Sequence, residues 1–227
     1  MTILPGLEPE LTLVGVDGLL AGASNATLLG RDDAGTAWVY KPGRGERPLW
    51  DFAHGSLAAR EIACYRLSEA LGLGVVPETL VASGPYGPGS AQRFLEEDFT
   101  WDPRPAIVGA AAGLWPVVVL DLVANNADRK AGHLLRQPGE ERIWAIDNGL
   151  TFHVDDKLRT VLWSFAGRPL PTVTVERLDP EVAVGAVDGL IDPSEVEATG
   201  ARVERMRADP VHPGPPDDRP AMPWPLW

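Results

Sequence analysis

The chain has 227 residues, 44% of them apolar and 23% charged, with a formal net charge of −12 at pH 7. This length supports one sizeable domain or two small lobes sharing a cleft, and no run approaches the ~18 uninterrupted apolar residues of a membrane span. The acidic balance excludes general nucleic-acid binding and unassisted adsorption to anionic lipid, since both draw their affinity from clustered Lys and Arg.

Reading begins at MTILPGLEPELTLVG, where no basic region precedes an apolar core and a small-residue cleavage site; no secretion signal is read, and a cytoplasmic location is expected. LTLVGV (11–16), ATLLGR (26–31) and TAWVYK (36–41) alternate like strands and predict a β-meander. A Gly/Pro/Trp-rich loop (42–53) follows, then the helical pattern SLAAREIACYRLSEALGLG, with Ser56 as a candidate cap. The lone cysteine, Cys64, lies in that apolar helix and reads as a buried, inert thiol; a single thiol also excludes an internal disulfide framework. VVPETLVAS and AQRFLEE read as two more strands joined by the turn GPYGPG.

After a linker at 98–105, LWPVVVLDLVANN (114–126) predicts a buried helix with Pro116 in its first turn. HLLRQ (133–137) and RIWAID (142–147) read as short strands, and 157–166 and 193–208 as helices. The tail, 210–227, holds seven prolines in eighteen residues and is read as irregular, docked through Trp224 and Trp227.

Four places carry charge where chemistry needs it. Lys41 closes an apolar strand near a Gly, Ser and Asn loop, an arrangement that can neutralise nucleotide phosphates. Glu61, on the first helix, can orient Lys41 by an ion pair. In VVLDLVANNADRKAGHLL an apolar helix runs into Asp128, Arg129 and Lys130 before the chain re-enters a strand; there Asp128 can accept a hydroxyl proton. Asp147 ends RIWAID ahead of Asn148-Gly149 and offers a hard oxygen ligand to Mg2+. Each also admits a plain structural reading: a solvated lysine, a surface glutamate, a charged turn, an Asp-Asn-Gly turn.

The order strand Lys, helix Glu, loop Asp-Arg, strand-end Asp resembles the phosphatidylinositol 3-/4-kinase superfamily, most closely the type II phosphatidylinositol 4-kinases. NNADRKAGHLL resembles that family's catalytic loop, and WAIDNGLTF its metal-binding segment. HipA-type serine kinases share a similar Asp-Arg loop, and actinobacterial phosphatidylinositol-kinase-like proteins look similar along most of the length. The resemblance runs from about Gly15 to Phe165. It implies an α+β, two-lobed protein-kinase-like fold: a small antiparallel β N-lobe (1–97), a mainly helical C-lobe (98–209) and the Pro/Trp-rich tail (210–227), with ATP between the lobes. Ser24, Asn25 and Ala26 would cover the phosphates, Lys41 contact them, and Glu61 hold Lys41. Gln92, Phe94 and Glu96 would lie in the hinge that receives adenine. Asp128 would be the catalytic base and Asp147 the ligand of Mg2+ or Mn2+.

The chain departs from that family five residues after Asp128, where His133 replaces a metal-binding Asn. Imidazole is a poor partner for hard Mg2+, so the second metal contact is lost or runs through water, with His133 the candidate residue. An unshifted histidine there titrates near ~6.5. The C-lobe also lacks an evident basic segment to grip an inositol lipid head group. The implied function is an ATP-dependent kinase acting on an unidentified hydroxyl acceptor, whether protein, small molecule or inositol compound. The alternatives are a nucleotide-binding pseudokinase acting as a regulatory module and a structural protein that binds no nucleotide.

Overall fold

The computed structural model describes residues 6–20 and 26–227, so Ser24 and Asn25 lie outside the described residues. Strands β1 (Leu11–Thr12), β2 (Gly15–Leu19), β3 (Leu28–Arg31), β4 (Ala37–Pro42), β5 (Thr79–Gly84) and β6 (Gly87–Arg93) form one sheet in the order β1-β5-β6-β4-β3-β2. β2, β3 and β4 make the expected meander. The segment expected as one strand at 11–16 divides in two. Leu13 N–H donates to Ser83 O and Val14 N–H to Arg31 O, so the backbone changes partner there, and β1 joins β5 in a parallel pairing. AQRFLEE also differs from expectation: β6 begins inside the anticipated turn and ends at Arg93, leaving Phe94 and Glu96 beyond the strand.

Side chains alternate across β4. Trp38 and Tyr40 are buried with Leu13, Leu28, Ala82 and Ala91, which places Lys41 on the opposite face. Gly89, paired with Pro42, is required by close approach: a Cβ there would stand 2.2 Å from Lys41 O.

Helix α1 (Leu57–Ala70) follows the loop after β4. Ser56 does not cap it through its side chain. The Glu46 carboxylate accepts from Gly55 N–H at 2.9 Å and Ala58 N–H at 3.1 Å, while Ser56 Oγ accepts from Arg60 Nε. An acidic group at a helix N-terminus satisfies donors that have no intrahelical partner and complements the dipole.

The second half contains α2 (Pro103–Val108), α3 (Trp115–Ala124), the hairpin β7 (Leu134–Arg136) and β8 (Ile143–Ala145), α4 (Thr172–Val175), α5 (Pro180–Val187) and α6 (Pro193–Ala208). α6 has the expected bounds because Asp192 and Glu195 close a capping box with Pro193 in the first turn. The helix expected at 157–166 is absent apart from a 3-10 turn at Trp163–Phe165. Tertiary hydrogen bonds hold that segment extended: Arg129 N–H donates to Arg159 O, Val161 N–H to Arg129 O, and Arg159 N–H to Asn126 O.

The principal core joins Ile62, Cys64 and Leu67 of α1 to Val117, Leu120 and Val123 of α3, with Phe152, Phe165 and Val203. The tail docks, but not through Trp224, which is 87% exposed. Ala221 O accepts from Thr160 N–H and Trp163 Nε1, Leu226 O accepts from Ala131 N–H, and Arg104 lies 5.9 Å from the Trp227 ring centroid. Among the described residues, no helix is long and apolar enough to cross a membrane.

Candidate active site

From β4, Lys41 Nζ reaches Glu61 Oε1 of α1 at 2.5 Å and Asp147 Oδ1 at 2.8 Å. Burial acts to lower the lysine's pKa, but the Asp147 and Glu61 carboxylates outweigh it and hold the ammonium well above its ordinary value. The other oxygen of Glu61 accepts from Asn148 N–H at 3.0 Å. One buried glutamate therefore fixes both the lysine and the segment after Asp147. Asp147 itself does not end the strand. β8 stops at Ala145, and Asp147 takes a left-handed conformation (φ 56) that turns its carboxylate toward Lys41 while Asn148 turns inward. The Lys41 charge holds the Asp147 carboxyl well below the usual carboxylate range, against an opposing effect of burial.

Behind this arrangement lies a buried network. Arg129, 0% exposed, donates to both oxygens of Asp121, to Ile146 O at 2.8 Å and to Asn148 Oδ1 at 2.6 Å. Asn126 Nδ2 donates to Asp121 Oδ1, and Asn126 Oδ1 accepts from Asp128 N–H. Each buried charge is thus paired and hydrogen-bonded, as burial demands. Asp121 and Asn148 were not singled out from the sequence as site residues. The available signal was a lone carboxylate inside the apolar run VVVLDLVA, eight residues before an arginine.

Asp128 lies 3.1 Å from Lys130 Nζ. Burial raises its pKa, the nearby Lys130 ammonium opposes that, and Asp147 adds to it. His133 Nε2 stands 3.4 Å from Asp147 Oδ2, while Nδ1 is buried without a hydrogen-bond partner among the described residues. The His133 pKa does not stay near the reference value: burial lowers it to about 4 despite the Asp147 charge, so the imidazole is neutral at pH 7.

One cleft brings Ala26, Lys41, Glu61, Asp128 and Asp147 together. Gln92, Phe94 and Glu96 are not on its lining; Gln92 Nε2 donates instead to Thr79 Oγ1 at 2.9 Å, and Phe94 is 41% exposed. Among the described residues no three His, Cys, Asp or Glu side chains converge on one point. That donor set does not make an all-protein cage. It does fit a magnesium-type ion, which takes one or two carboxylates and completes its shell with water and phosphate oxygens. Asp147, ionised and 49% exposed, is the residue that fits; His133, a softer donor facing Asp147, fits poorly.

No protein-family model matches the chain. Among solved structures it resembles a Helicobacter pylori proinflammatory kinase, CtkA, with a TM-score of 0.59 and 13% identity over 88% of this chain and 94% of that one. It also resembles the Golgi casein kinase with Mn/ADP bound, with a TM-score of 0.58 and 13% identity over 88% of this chain and 73% of that one. At such identity the likeness shows the fold, which is the two-lobed, α+β fold of these kinases. In sequence the chain is 35% identical over 264 residues to protein Rv2133c of Mycobacterium tuberculosis strain H37Rv, covering 97% of this chain and 93% of the relative. The chain therefore belongs to the family of protein Rv2133c.

Proposed function

We propose that this protein is an ATP-dependent kinase of the phosphatidylinositol 3-/4-kinase-like type, with lobes 1–97 and 98–209 meeting around the nucleotide. The observation that carries the reading is the Lys41 ammonium held between Glu61 Oε1 and Asp147 Oδ1, with Asp128 on the same cleft. Lys41 binds phosphate oxygens, and Glu61 positions it. Ala26, on the lining of the same cleft, covers the phosphates. Asp128 takes the proton of the attacking hydroxyl, and its raised pKa makes it a better acceptor than an ordinary carboxylate. When held by Asp147, Mg2+ or Mn2+ supplies positive charge to the phosphate oxygens. The Mn/ADP in the Golgi casein kinase structure supports nucleotide and divalent metal as ligands of this fold.

A second reading, a nucleotide-binding pseudokinase, is favoured by the placement of His133 against Asp147. Thermal-shift titration with ATP, with and without Mg2+ or Mn2+, followed by assay of γ-phosphate transfer, tests both. The kinase reading expects metal-dependent stabilisation and ADP production. Stabilisation without ADP production selects the pseudokinase, and no response to ATP under any condition removes both.

A further inference from the structure

The cleft that holds Lys41, Asp128 and Asp147 is lined in part by the loop between β4 and α1, through Glu46 and Leu49. The Glu46 carboxylate draws the ends of that loop together, since Gly55 N–H and Ala58 N–H both donate to it, at 2.9 and 3.1 Å. Gly55, with φ 84, turns the chain from the loop toward α1. The described backbone hydrogen bonds of the stretch are local: Glu46 N–H donates to Gly43 O and Ser56 N–H to Ala53 O. Residues 46–55 are thus an Ω-type loop, closed at its neck and contributing its own side chains to the cleft.

The middle of the loop is fastened to the C-terminal half of the chain. Asp51 Oδ2 lies 3.0 Å from Lys157 Nζ, both side chains being mostly buried, and the same ammonium stands 4.8 Å from the Trp50 ring centroid. Phe52 meets His153 edge-on, with 5.6 Å between centroids, and packs with Leu57, Leu150 and Ala127, the residue preceding Asp128. The anchor is itself held in place. Lys157 N–H donates to Asn125 Oδ1 at 2.9 Å, and Asn125 Nδ2 donates to His153 O and Asp155 O. Asn125 is buried in the turn that leads from α3 to Asp128. A loop whose neck belongs to the β4–α1 connection is therefore latched onto a fixed turn beside the candidate base.

We propose that residues 46–52 form a lid on the nucleotide cleft, that the Asp51–Lys157 ion pair is its latch, and that unlatching limits the release of nucleotide. The inference rests on the kinase reading, which supplies nucleotide as what the lid encloses. A closed lid keeps water from the transferring phosphoryl group, but it must open for ADP to leave. Opening parts Lys157 from both Asp51 and Trp50. The neck at Glu46 and Gly55 stays tied meanwhile, so the loop swings as one piece.

The test measures release and opening separately in the full chain. Mant-labelled ADP with Mg2+, chased by excess ATP in a stopped-flow fluorimeter, reports release; hydrogen exchange read by mass spectrometry, without nucleotide, reports opening of residues 47–53. Lys157→Met and Asp51→Asn should each speed mant-ADP release about fivefold. Both should also speed exchange in 47–53 while exchange in α3 stays at the wild-type rate. The double variant Asp51→Lys with Lys157→Asp should return both rates toward wild type, which separates a latch from two residues that merely support the fold. If wild-type protein binds no nucleotide, yet 47–53 loses protection in both single variants, the latch stands and only the kinase reading is sunk. Unchanged exchange in the single variants, mant-ADP release at the wild-type rate in both, or a double variant no closer to wild type than either single overturns this proposal and leaves the kinase reading standing.

Discussion

Lys41 stands between two carboxylates, so replacing it removes a cation that both need. Lys41→Met is expected to weaken ATP binding at least tenfold by calorimetry. It should also lower Tm by several degrees, because Glu61, 3% exposed, loses its charged partner and, among the described residues, keeps Asn148 N–H alone. Unchanged affinity would remove Lys41 from the nucleotide site. Two neighbouring substitutions should behave differently from each other. Asp147→Asn removes the ionised carboxylate and should abolish the metal-dependent part of ATP stabilisation, whereas Asp128→Asn should spare binding and eliminate turnover. Equal loss of ATP binding in both would make these residues structural. His133 yields a pH prediction of definite sign. Its folded pKa of about 4 lies below the ordinary 6.5, so as pH falls through that window the unfolded chain takes up a proton that the folded chain refuses. Its contribution to stability is complete above about 6.5 and is lost toward pH 4. His133→Asn should therefore flatten the fall of Tm between those values. His212 is also buried with a lowered pKa, so the difference between variant and wild type, not the raw slope, is the measurement; identical slopes would exclude His133 as the cause.

At the scale of elements, α1 is tied to both halves of the molecule. Its Glu61 faces the cleft. The preceding residue, Arg60, donates to Glu195 Oε1 and Oε2 of α6 at 2.7 and 3.0 Å, and also to Thr151 O. Both partners are buried, with side chains 4% and 9% exposed, so removing one leaves the other charge without water or a counterion. Glu195→Ala is expected to cost about 3–5 kcal/mol, a Tm loss of roughly ten degrees, whereas Arg60→Met with Glu195→Leu should recover part of that by leaving no lone charge. Equal Tm values for single and double variants would show that the ion pair is not what joins the helices. The recovery should be incomplete, since the bond to Thr151 O is lost in both the double variant and Arg60→Met.

The whole molecule shares its main core between the lobes. Ile62 and Leu67, on α1 among the N-terminal strands in sequence, pack with Val117, Leu120 and Val203 from the second half. Thermal unfolding is expected as one cooperative transition, with far- and near-UV circular dichroism coincident, and a fragment ending at residue 97 should not fold, because the apolar face of α1 would lose its partners. Two resolved transitions, or dispersed NMR spectra from the fragment, would show independent lobes.

Short-range patterns were legible in the sequence. Alternation in TAWVYK places Lys41 on the opposite face of β4 from Trp38 and Tyr40, and Asp192, Pro193 and Glu195 state where α6 begins. Such features depend on neighbouring residues within one turn or one pleat, so a local reading reaches them. The order of Lys41, Glu61, Asp128 and Asp147 pointed to one site, but the pairing of Lys41 with both carboxylates needed β4, α1 and the segment after β8 to meet. Tertiary structure alone decided the extended course of 157–161, where hydrogen bonds to Asn126 and Arg129 overrode a helical pattern, and the left-handed turn at Asp147. It likewise decided the pairing of Arg129 with Asp121 and Asn148 and the packing of Phe52, Leu57, Ala127 and Leu150 beside Asp128. In each case the partner is distant along the chain, and a buried polar or apolar group acquires it only when the elements pack.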